Sequence, residues 1–458
     1  MIAGGGYVTE PTTDHALLEE FHALLHEGEE EALKIFLRLV RPEDIAEWLD
    51  LLSADDRQRI VSALDIESAG TVLTDTSASI RAELVEEIEP ERLARIAEAL
   101  PADEAADLIG ELEVAETEKV LHHISTEDEK VLRHLLTYPE DTAGGLMNPE
   151  VVALQPAETV DDAIRYLRSA AENTPIAAVY VVDENHRLLG FVRLRRMVTA
   201  RPEARLGDIM STDVISVGVE TDQEAVADIV EKYDFMAIPV VDAQQRLMGV
   251  VTVDDILDVI EEEATEDIYK MAGSSIEEEE SESILHVARY RLPWLLVCLA
   301  GTQLSSMVLV FASREVRLYE QMSIFTAAIM AMAGNTSLQS STTTVRRLAL
   351  DTLPRSRFLR HIAREILVAL LMGVVCGAFA SALALLLHRD PLIGVALGPS
   401  MAIGMSAASL LGAAMPIVLD IAGIDPAVAS GPLVSTINDS LALAVYFLVA
   451  TGMLLWIG

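Results

Sequence analysis

The chain has 458 residues, enough for two or three domains, with 33 Lys+Arg against 73 Asp+Glu and a formal net charge of −40. Such an acidic chain repels the phosphate backbone of nucleic acids and attracts cations, so nucleic acid is excluded as a partner. Its mean hydropathy is nevertheless positive, +0.32, which requires charge and hydrophobicity to lie in different parts of the chain: acidic residues crowd the stretch before Leu292, and apolar runs fill most of the C-terminal remainder.

The first residues, Met1–Thr13, lack a basic stretch followed by an apolar one, so no cleaved signal peptide is expected, and residues 1–25 read as a flexible tract. Over residues 26–146 the apolar spacing is helical. Ile45, Trp48, Leu49 and Leu52 fall on one face, as do Leu93, Ile96, Ala97 and Leu100. The segment opening at Pro42 echoes the one opening at Pro90, each with proline at a helix start. Repeated short helices of this kind stack into a superhelix with a shared core. The acidic surface of this array is either a solvated face or an ion-sensing one.

From Met147 the pattern alternates strands and helices, and it repeats. Met147–Leu154 matches Met210–Val217, and Val181-Val182-Asp183 with Leu188–Val192 matches Val240-Val241-Asp242 with Leu247–Val251. Amphipathic stretches at Thr159–Ala170 and Gln223–Lys232 separate the matching strands. The two copies, 147–208 and 209–262, resemble a tandem pair of cystathionine-beta-synthase (CBS) domains with a β-α-β-β-α plan. CBS pairs are regulatory modules that often bind nucleotides such as ATP, and they occur on enzymes, channels and transporters alike.

An acidic helix comes next, with Asp254, Asp258 and Glu262 on one face and Asp255 and Glu266 beside it. Like charges at this spacing oppose helix formation by roughly 0.2–0.5 kcal/mol per pair. The cluster, continued by Glu277–Glu280, leads through the connecting segment 263–290 into the apolar region. A solvated acidic face is common, but a cluster at this junction is well positioned to gate.

Residues 291–458 hold five stretches near the roughly 20 residues needed to cross a bilayer: Leu292–Ala312, Ile324–Leu348, Ile366–Leu387, Leu392–Leu419 and Leu433–Ile457. Cys298 and Cys376 lie within apolar runs and read as packing residues. Arg346, Arg347, Arg355, Arg357, Arg360 and Arg364 after the second stretch place that loop in the cytoplasm, whereas the opposite side carries few basic residues, Arg314, Arg317 and Arg389 among them. The expected topology has a cytoplasmic N-terminus and an extracytoplasmic C-terminus. The second stretch is interrupted by Asn335, Thr336, Ser337 and Gln339, which lipid cannot satisfy. Asp439 lies two turns inside the fifth, where a carboxylate costs about 2.5–3.5 kcal/mol, and such residues usually line an ion or proton pathway.

Together, Asp254–Asp267, Gly334–Thr342 and the segment from Asp425-Pro426-Ala427 to Asp439 resemble the MgtE family of Mg2+ channels and transporters. The resemblance covers nearly the whole chain. It implies a multidomain fold: an all-α superhelical N domain, an α/β CBS pair, an acidic connecting helix and a five-span α-helical membrane domain. It further implies a homodimer in the plasma membrane, not an enzyme, with Mg2+ both transported and regulatory. Asp439 of each subunit would recognise the ion, aided by Ser435, Thr436, Gly431 and Asn335. Asp103, Asp107, Asp222, Glu224, Asp234, Asp255, Asp258, Glu263, Glu266, Asp267 and Asp425 would bind Mg2+ that closes the pore. Two departures stand out: Ser337 replaces the second glycine of a Gly-Asn-x-Gly-x-Gln motif, and Gly431 stands where some members carry Asn. The residues themselves suit a hydrated Mg2+ held by one or two carboxylates. Among them is no soft set of Cys or His for copper or zinc, whereas Co2+, Mn2+ and Ni2+ remain open. No His-Glu-x-x-His motif supports a metalloprotease. A non-conducting receptor for divalent ions is the alternative of another class.

Overall fold

The computed structural model describes residues 21, 24–25, 30–169, 178–275, 284–315, 319–350, 352–388, 391–429 and 431–457. Most of the expected N-terminal tract 1–25, and the Glu277–Glu280 run, lie outside them. The chain divides into two compact units, Met1–Glu261 and Glu262–Gly458.

The first unit opens with short helices, of which α1 (Glu30–Leu37), α2 (Pro42–Leu49), α3 (Ala54–Ala63), α4 (Ile66–Asp75), α5 (Ala78–Glu87), α6 (Pro90–Ala97), α7 (Ala102–Gly110), α8 (Val114–Leu121) and α9 (Thr126–Leu135) are described. The echo between Pro42 and Pro90 is structural: both open eight-residue helices with proline in the first turn. Helices this short are unstable alone and depend on packing. One continuous core runs through Ile45, Leu49, Ile60, Leu73, Leu93, Ile96 and Ile109. Arg92 reaches across from α6 to the carbonyls of Val61 and Leu64 at 2.8 and 3.0 Å, satisfying the end of α3.

Beyond this array lies the repeat, a pair of matching three-stranded sheets. The first contains β1 (Ala153–Leu154), β2 (Ala178–Val182) and β3 (Leu188–Arg193), with α10 (Val160–Ser169) and α11 (Leu194–Thr199). After the short α12 (Leu206–Ile209), the second contains β4 (Val217–Gly218), β5 (Ala237–Val241) and β6 (Leu247–Thr252), with α13 (Gln223–Tyr233) and α14 (Val253–Ala272). In both, the first strand runs parallel to the second and the second antiparallel to the third. The copies interlock. Asn148, ahead of the first, bridges Val250 of β6, and Ser211, ahead of the second, bridges Phe191 of β3. The hairpin tips exchange hydrogen bonds, Leu188 N–H to the Gln245 carbonyl and Leu247 N–H to that of His186, both 3.0 Å.

The second unit starts with the C-terminal half of α14, so the expected segment 263–290 covers the end of that helix and the beginning of the next. It continues with α15 (Ile284–Glu315), α16 (Tyr319–Ser323), α17 (Thr326–Ala349), α18 (Phe358–His388), α19 (Pro391–Ala422) and α20 (Pro432–Ile457). Among the described residues four stretches are long and apolar enough to cross a membrane: Val287–Arg314, Arg355–Leu386, Leu392–Ala422 and Val434–Met453. The fifth expected span, α17, has 24 residues, about 36 Å, but falls outside that set because Asn335–Thr344 is rich in Asn, Gln, Ser and Thr. It is also the helix whose polar face is most buried: Thr336, Ser337, Ser340, Ser341 and Thr344 are at most 4 % exposed. Those hydroxyls sit among helices, with α17 packed against both α19 and α20.

Candidate ion sites

Two acidic constellations and one membrane face emerge, each within a single unit. The first joins α7 to the start of α14. Asp103, on the first turn of α7, is 7 % exposed. Its Oδ1 accepts from Asn148 Nδ2 and from the Glu104 N–H, both at 3.1 Å. Burial, and then the charge of Asp255, push its carboxyl up to about 8. Burial and Asp255 likewise push Glu104 up to about 7. Asp107, one turn further along α7, is exposed, yet the loss of water around it and the charge of Glu140 push it up to about 7 against the pull of Arg81.

Asp255 is fixed by its own helix start. Thr252 donates to its Oδ2 from Oγ1 at 2.6 Å and from the backbone N–H at 3.2 Å, capping the first turn of α14. Burial still raises its carboxyl. The same Thr-Val-Asp-Asp sequence at Thr159–Asp162 makes the same cap on α10, with Thr159 Oγ1 donating to Asp162 at 2.6 Å. Asp258 and Asp75 are raised as well, chiefly by burial, and Asp258 adds to the repulsion at Asp75. Several carboxylates, raised together and with few cations, are a pocket of negative potential. Positive charge placed there would be stabilised, and a divalent cation would reverse these shifts.

The structure separates the remaining expected ligands of the CBS pair. Asp222 caps α13, accepting from the Glu224 N–H at 3.0 Å, and its backbone forms an isolated antiparallel bridge with Thr142. Glu224 is exposed on the first turn of that helix. Asp234 lies at the helix's other end, in left-handed conformation (φ 52°). It lines a cleft of about 680 Å3 between the two repeats, with Tyr180, Arg193, Asp213, Tyr233 and Phe235. There the Arg193 guanidinium sits 5.6 Å over the Phe191 ring, and Tyr233 stacks on Phe235 at 5.5 Å. Cations and ring faces in one cleft suit a planar, anionic ligand. The internal repeat signalled the cleft, but its lining comes from both copies and no single motif marks it.

The second acidic constellation lies at the end of α14. Lys270 Nζ bridges Glu266 Oε1 at 2.7 Å and Asp425 Oδ2 at 2.8 Å. Its ammonium is raised: burial works against it, but the bonds to Asp425 and Glu266 outweigh that. Asp425 also accepts from the Ala427 N–H at 2.7 Å, forming the turn that leads to α20. Asp267 is pushed up to about 6 by burial and by the charge of Asp425, with Glu263 adding to the repulsion. Thus Asp425, Glu266, Asp267 and Glu263 come together around a lysine that sequence reasoning did not assign. Gly431 belongs to the same contact, since a Cβ there would lie 2.7 Å from the Met271 carbonyl oxygen. Backbone-to-backbone approach accounts for a glycine at that position.

On α20, Ser435 and Asp439 share one face at i,i+4, Ser435 exposed and Asp439 half-buried. Thr436 faces elsewhere: it is 9 % exposed and abuts Gly301 of α15, while Ser440, one turn on, bonds Ser305 of α15 at 2.9 Å. Asn335, Gln339 and Thr343 form an exposed stripe along α17 at the same four-residue spacing. Among the described residues no three His, Cys, Asp or Glu side chains are grouped as a ready-made metal site.

Residues 40–141 match the MgtE intracellular N domain, 143–203 and 206–262 match CBS domains, and 326–449 match MgtE, a divalent cation transporter. The chain is similar to the Magnesium transporter MgtE of Thermus thermophilus, 34% identical over 94% of this chain and 97% of that one. It is similar also to the protein of that name from Bacillus subtilis, 30% identical over 95% and 94%. A solved structure of the cytosolic domain of the Mg2+ channel MgtE in complex with ATP superposes with a TM-score of 0.51 at 36% identity, covering 53% of this chain and 99% of that one. The chain belongs to the MgtE family, a family of membrane transporters rather than enzymes.

Proposed function

We propose that the protein is a Mg2+ channel or transporter of the cell membrane that works as a homodimer, with its N-terminus in the cytoplasm and its C-terminus outside. The observation that carries this reading is the pairing of Asp439 with Ser435 on an accessible face of α20, while Asn335, Gln339 and Thr343 expose a second polar stripe on α17. Polar faces within a membrane domain must meet protein or water. A symmetric partner with an ion path along the shared axis supplies both. Two Asp439 carboxylates can hold a strongly hydrated Mg2+ through its waters, with the Ser435 hydroxyls beside them.

Closure is a consequence of the acidic constellations. Without divalent cations, the carboxylates of α7 and the start of α14 repel each other. Intracellular Mg2+ at Asp103, Asp107, Asp255 and Asp258 draws α14 against α7. At the far end of α14, Glu263, Glu266, Asp267 and Asp425 act together. Weak, water-rich carboxylate sites suit sensing on the order of millimolar. The Arg193–Asp234 cleft takes a nucleotide such as ATP, a reading supported by its aromatic and basic lining.

The decisive experiment is uptake of Mg2+, Co2+ and Ca2+ into proteoliposomes by the wild type and Asp439→Ala. Mg2+ uptake lost in the variant is the expected result. A folded wild type that carries no flux at low internal Mg2+ would replace this reading with a divalent-ion receptor.

A further inference from the structure

Ion conduction by Asp439 leaves one polar cluster of the second unit unused. Asn438 is fully buried, and neither its Nδ2 nor its Oδ1 has a hydrogen-bond partner. The hydroxyls of Ser337, 2 % exposed, and Ser341, fully buried, are unpartnered as well. Each such group costs free energy when nothing replaces the water it has lost. Nearby hydroxyls are satisfied, Ser340 by Ser409 at 2.7 Å and Thr344 by His361 Nε2 at 2.9 Å, so among the described residues of α17 and α20 these three are the buried side chains without a partner.

Helix geometry sets Asn438 on the ridge of α20 that faces Ser337 and, one turn further along α17, Ser341. Asn438 lies on the buried ridge Val434–Asn438–Ala442–Tyr446 of α20, and Ser337 and Ser341 continue the ridge Ile329–Ala333 of α17. Ala442 and Tyr446 share an apolar cluster with Ile329 and Ala333. The two helices run antiparallel: the Pro426–Ala429 turn ahead of α20 packs on α17, while Tyr446 bonds the Met322 carbonyl ahead of the start of α17. One turn from Ala442 toward the start of α20 is Asn438. One and two turns from Ala333 toward the end of α17 are Ser337 and Ser341. On the third side α19 closes in, since a Cβ on Gly412 would lie 2.9 Å from Ser337 Oγ.

The donor set selects the ligand. Asn438 offers two N–H donors and a carbonyl acceptor, and each hydroxyl both donates and accepts. A bare cation would satisfy Oδ1 and leave the amide N–H pointing at positive charge, and an anion would do the reverse. Water answers both, and a buried water typically makes about three hydrogen bonds. We propose that Ser337, Ser341 and Asn438 hold an ordered water that bridges α17 to α20. The bridge fixes the rotation of α20 and so the aim of the adjacent Asp439, which makes Asn438 a positioning residue for ion discrimination. This rests on the reading of Asp439 as the ion-recognition residue. Such a site has to be held within about 0.5 Å to discriminate.

The test compares Asn438→Leu, close in size to the native residue, with the double variant Ser337→Ala/Ser341→Ala in proteoliposomes, following Mg2+ and Co2+ uptake in parallel. Both should lower the Mg2+ to Co2+ uptake ratio by about tenfold. An unchanged ratio in the folded variants would overturn the proposal, and if Asn438→Leu does not fold, the double variant decides. A high-resolution map of the wild type should show a peak within hydrogen-bonding reach of all three side chains. A direct bond from the Asn438 amide to either serine would overturn it. Should Asp439→Ala leave Mg2+ uptake intact, the conduction reading fails instead, and the peak is judged separately.

Discussion

Lys270 and Asp425 are 155 positions apart in sequence, yet the ammonium of one lies 2.8 Å from the carboxylate of the other, tying the end of the acidic helix to the turn that opens α20. Both side chains are about one-third exposed, 30% and 35%, so the pair contributes at most about 1 kcal/mol. Its larger effect is to neutralise Glu266 and the surroundings of Asp267. Lys270→Gln should strengthen divalent binding there. The internal Mg2+ concentration that half-closes the protein should then fall by up to about fivefold, the factor equivalent to about 1 kcal/mol. Flux measured against internal Mg2+ checks this, and an unchanged midpoint would remove Lys270 from the gate.

Gly431 makes a separate prediction at the same contact. Any side chain there meets the Met271 carbonyl at 2.7 Å, and rigid backbone cannot yield as a side-chain tip can. Gly431→Ala should push the end of α14 away, costing about 1–3 kcal/mol as other overpacked contacts do. It should leave residual flux at internal Mg2+ that closes the wild type. Full closure in the variant would show that this approach is incidental.

The acids of α7 predict a pH dependence with a definite sign. Asp103, at about 8, and Glu104 and Asp107, at about 7, lie above the ordinary carboxylate value near 4. The folded protein therefore binds more protons than the unfolded chain between roughly pH 4 and 8. By linkage, stability is fully present below the ordinary value and is lost as pH rises through that window. Divalent cations compete with those protons, so added Mg2+ should flatten the loss toward pH 8. Asp103→Asn should flatten it without Mg2+, by an amount on the order of a few kcal/mol. Melting curves across pH 5–8, with chelator and with Mg2+, read both effects. A slope that is the same in the wild type and the variant would rule out Asp103 as its source.

Much of this was legible in the sequence because it is written in period and repetition. Pro42 and Pro90 announce equivalent helices, and the doubled strand pattern gives the two sheets with their common topology. The carboxylate of Asp439, inside an apolar stretch, is conspicuous for its setting alone. The features that stayed hidden depend on long-range packing. The sequence places Thr436 next to Ser435, but about 100° of helix rotation turns it onto Gly301. Asp234 is expected only as a Mg2+ ligand, and its place in the cleft shows once both repeats are folded. Lys270 is an ordinary basic residue at the end of a helix, and only the return of the chain at Asp425 gives it a partner. Asn438 passes for part of a polar neighbourhood, since the lack of partners for a buried amide can be seen only once its neighbours are placed.

Neutralising the start of α14 tests the gating proposal most directly. Asp255 is held by Thr252 and adds to the repulsion at Asp103, Glu104 and Asp107, while Asp258 adds to that at Asp75. Replacing both with Asn removes two negative charges from that pocket and keeps side chains of nearly the same size. Without the carboxylates, Mg2+ has less to bridge, and α7 and α14 are no longer drawn together by its binding. Asp255→Asn/Asp258→Asn should therefore keep conducting at internal Mg2+ that silences the wild type, with the half-closing concentration raised by at least about tenfold, or about 1.4 kcal/mol. Its flux at low internal Mg2+ should match the wild type, because neither residue lies in the membrane helices. If the double variant closed at the same concentration as the wild type, the sensor would have to lie elsewhere, with the Asp267–Asp425 group at the other end of α14 as the next place to look.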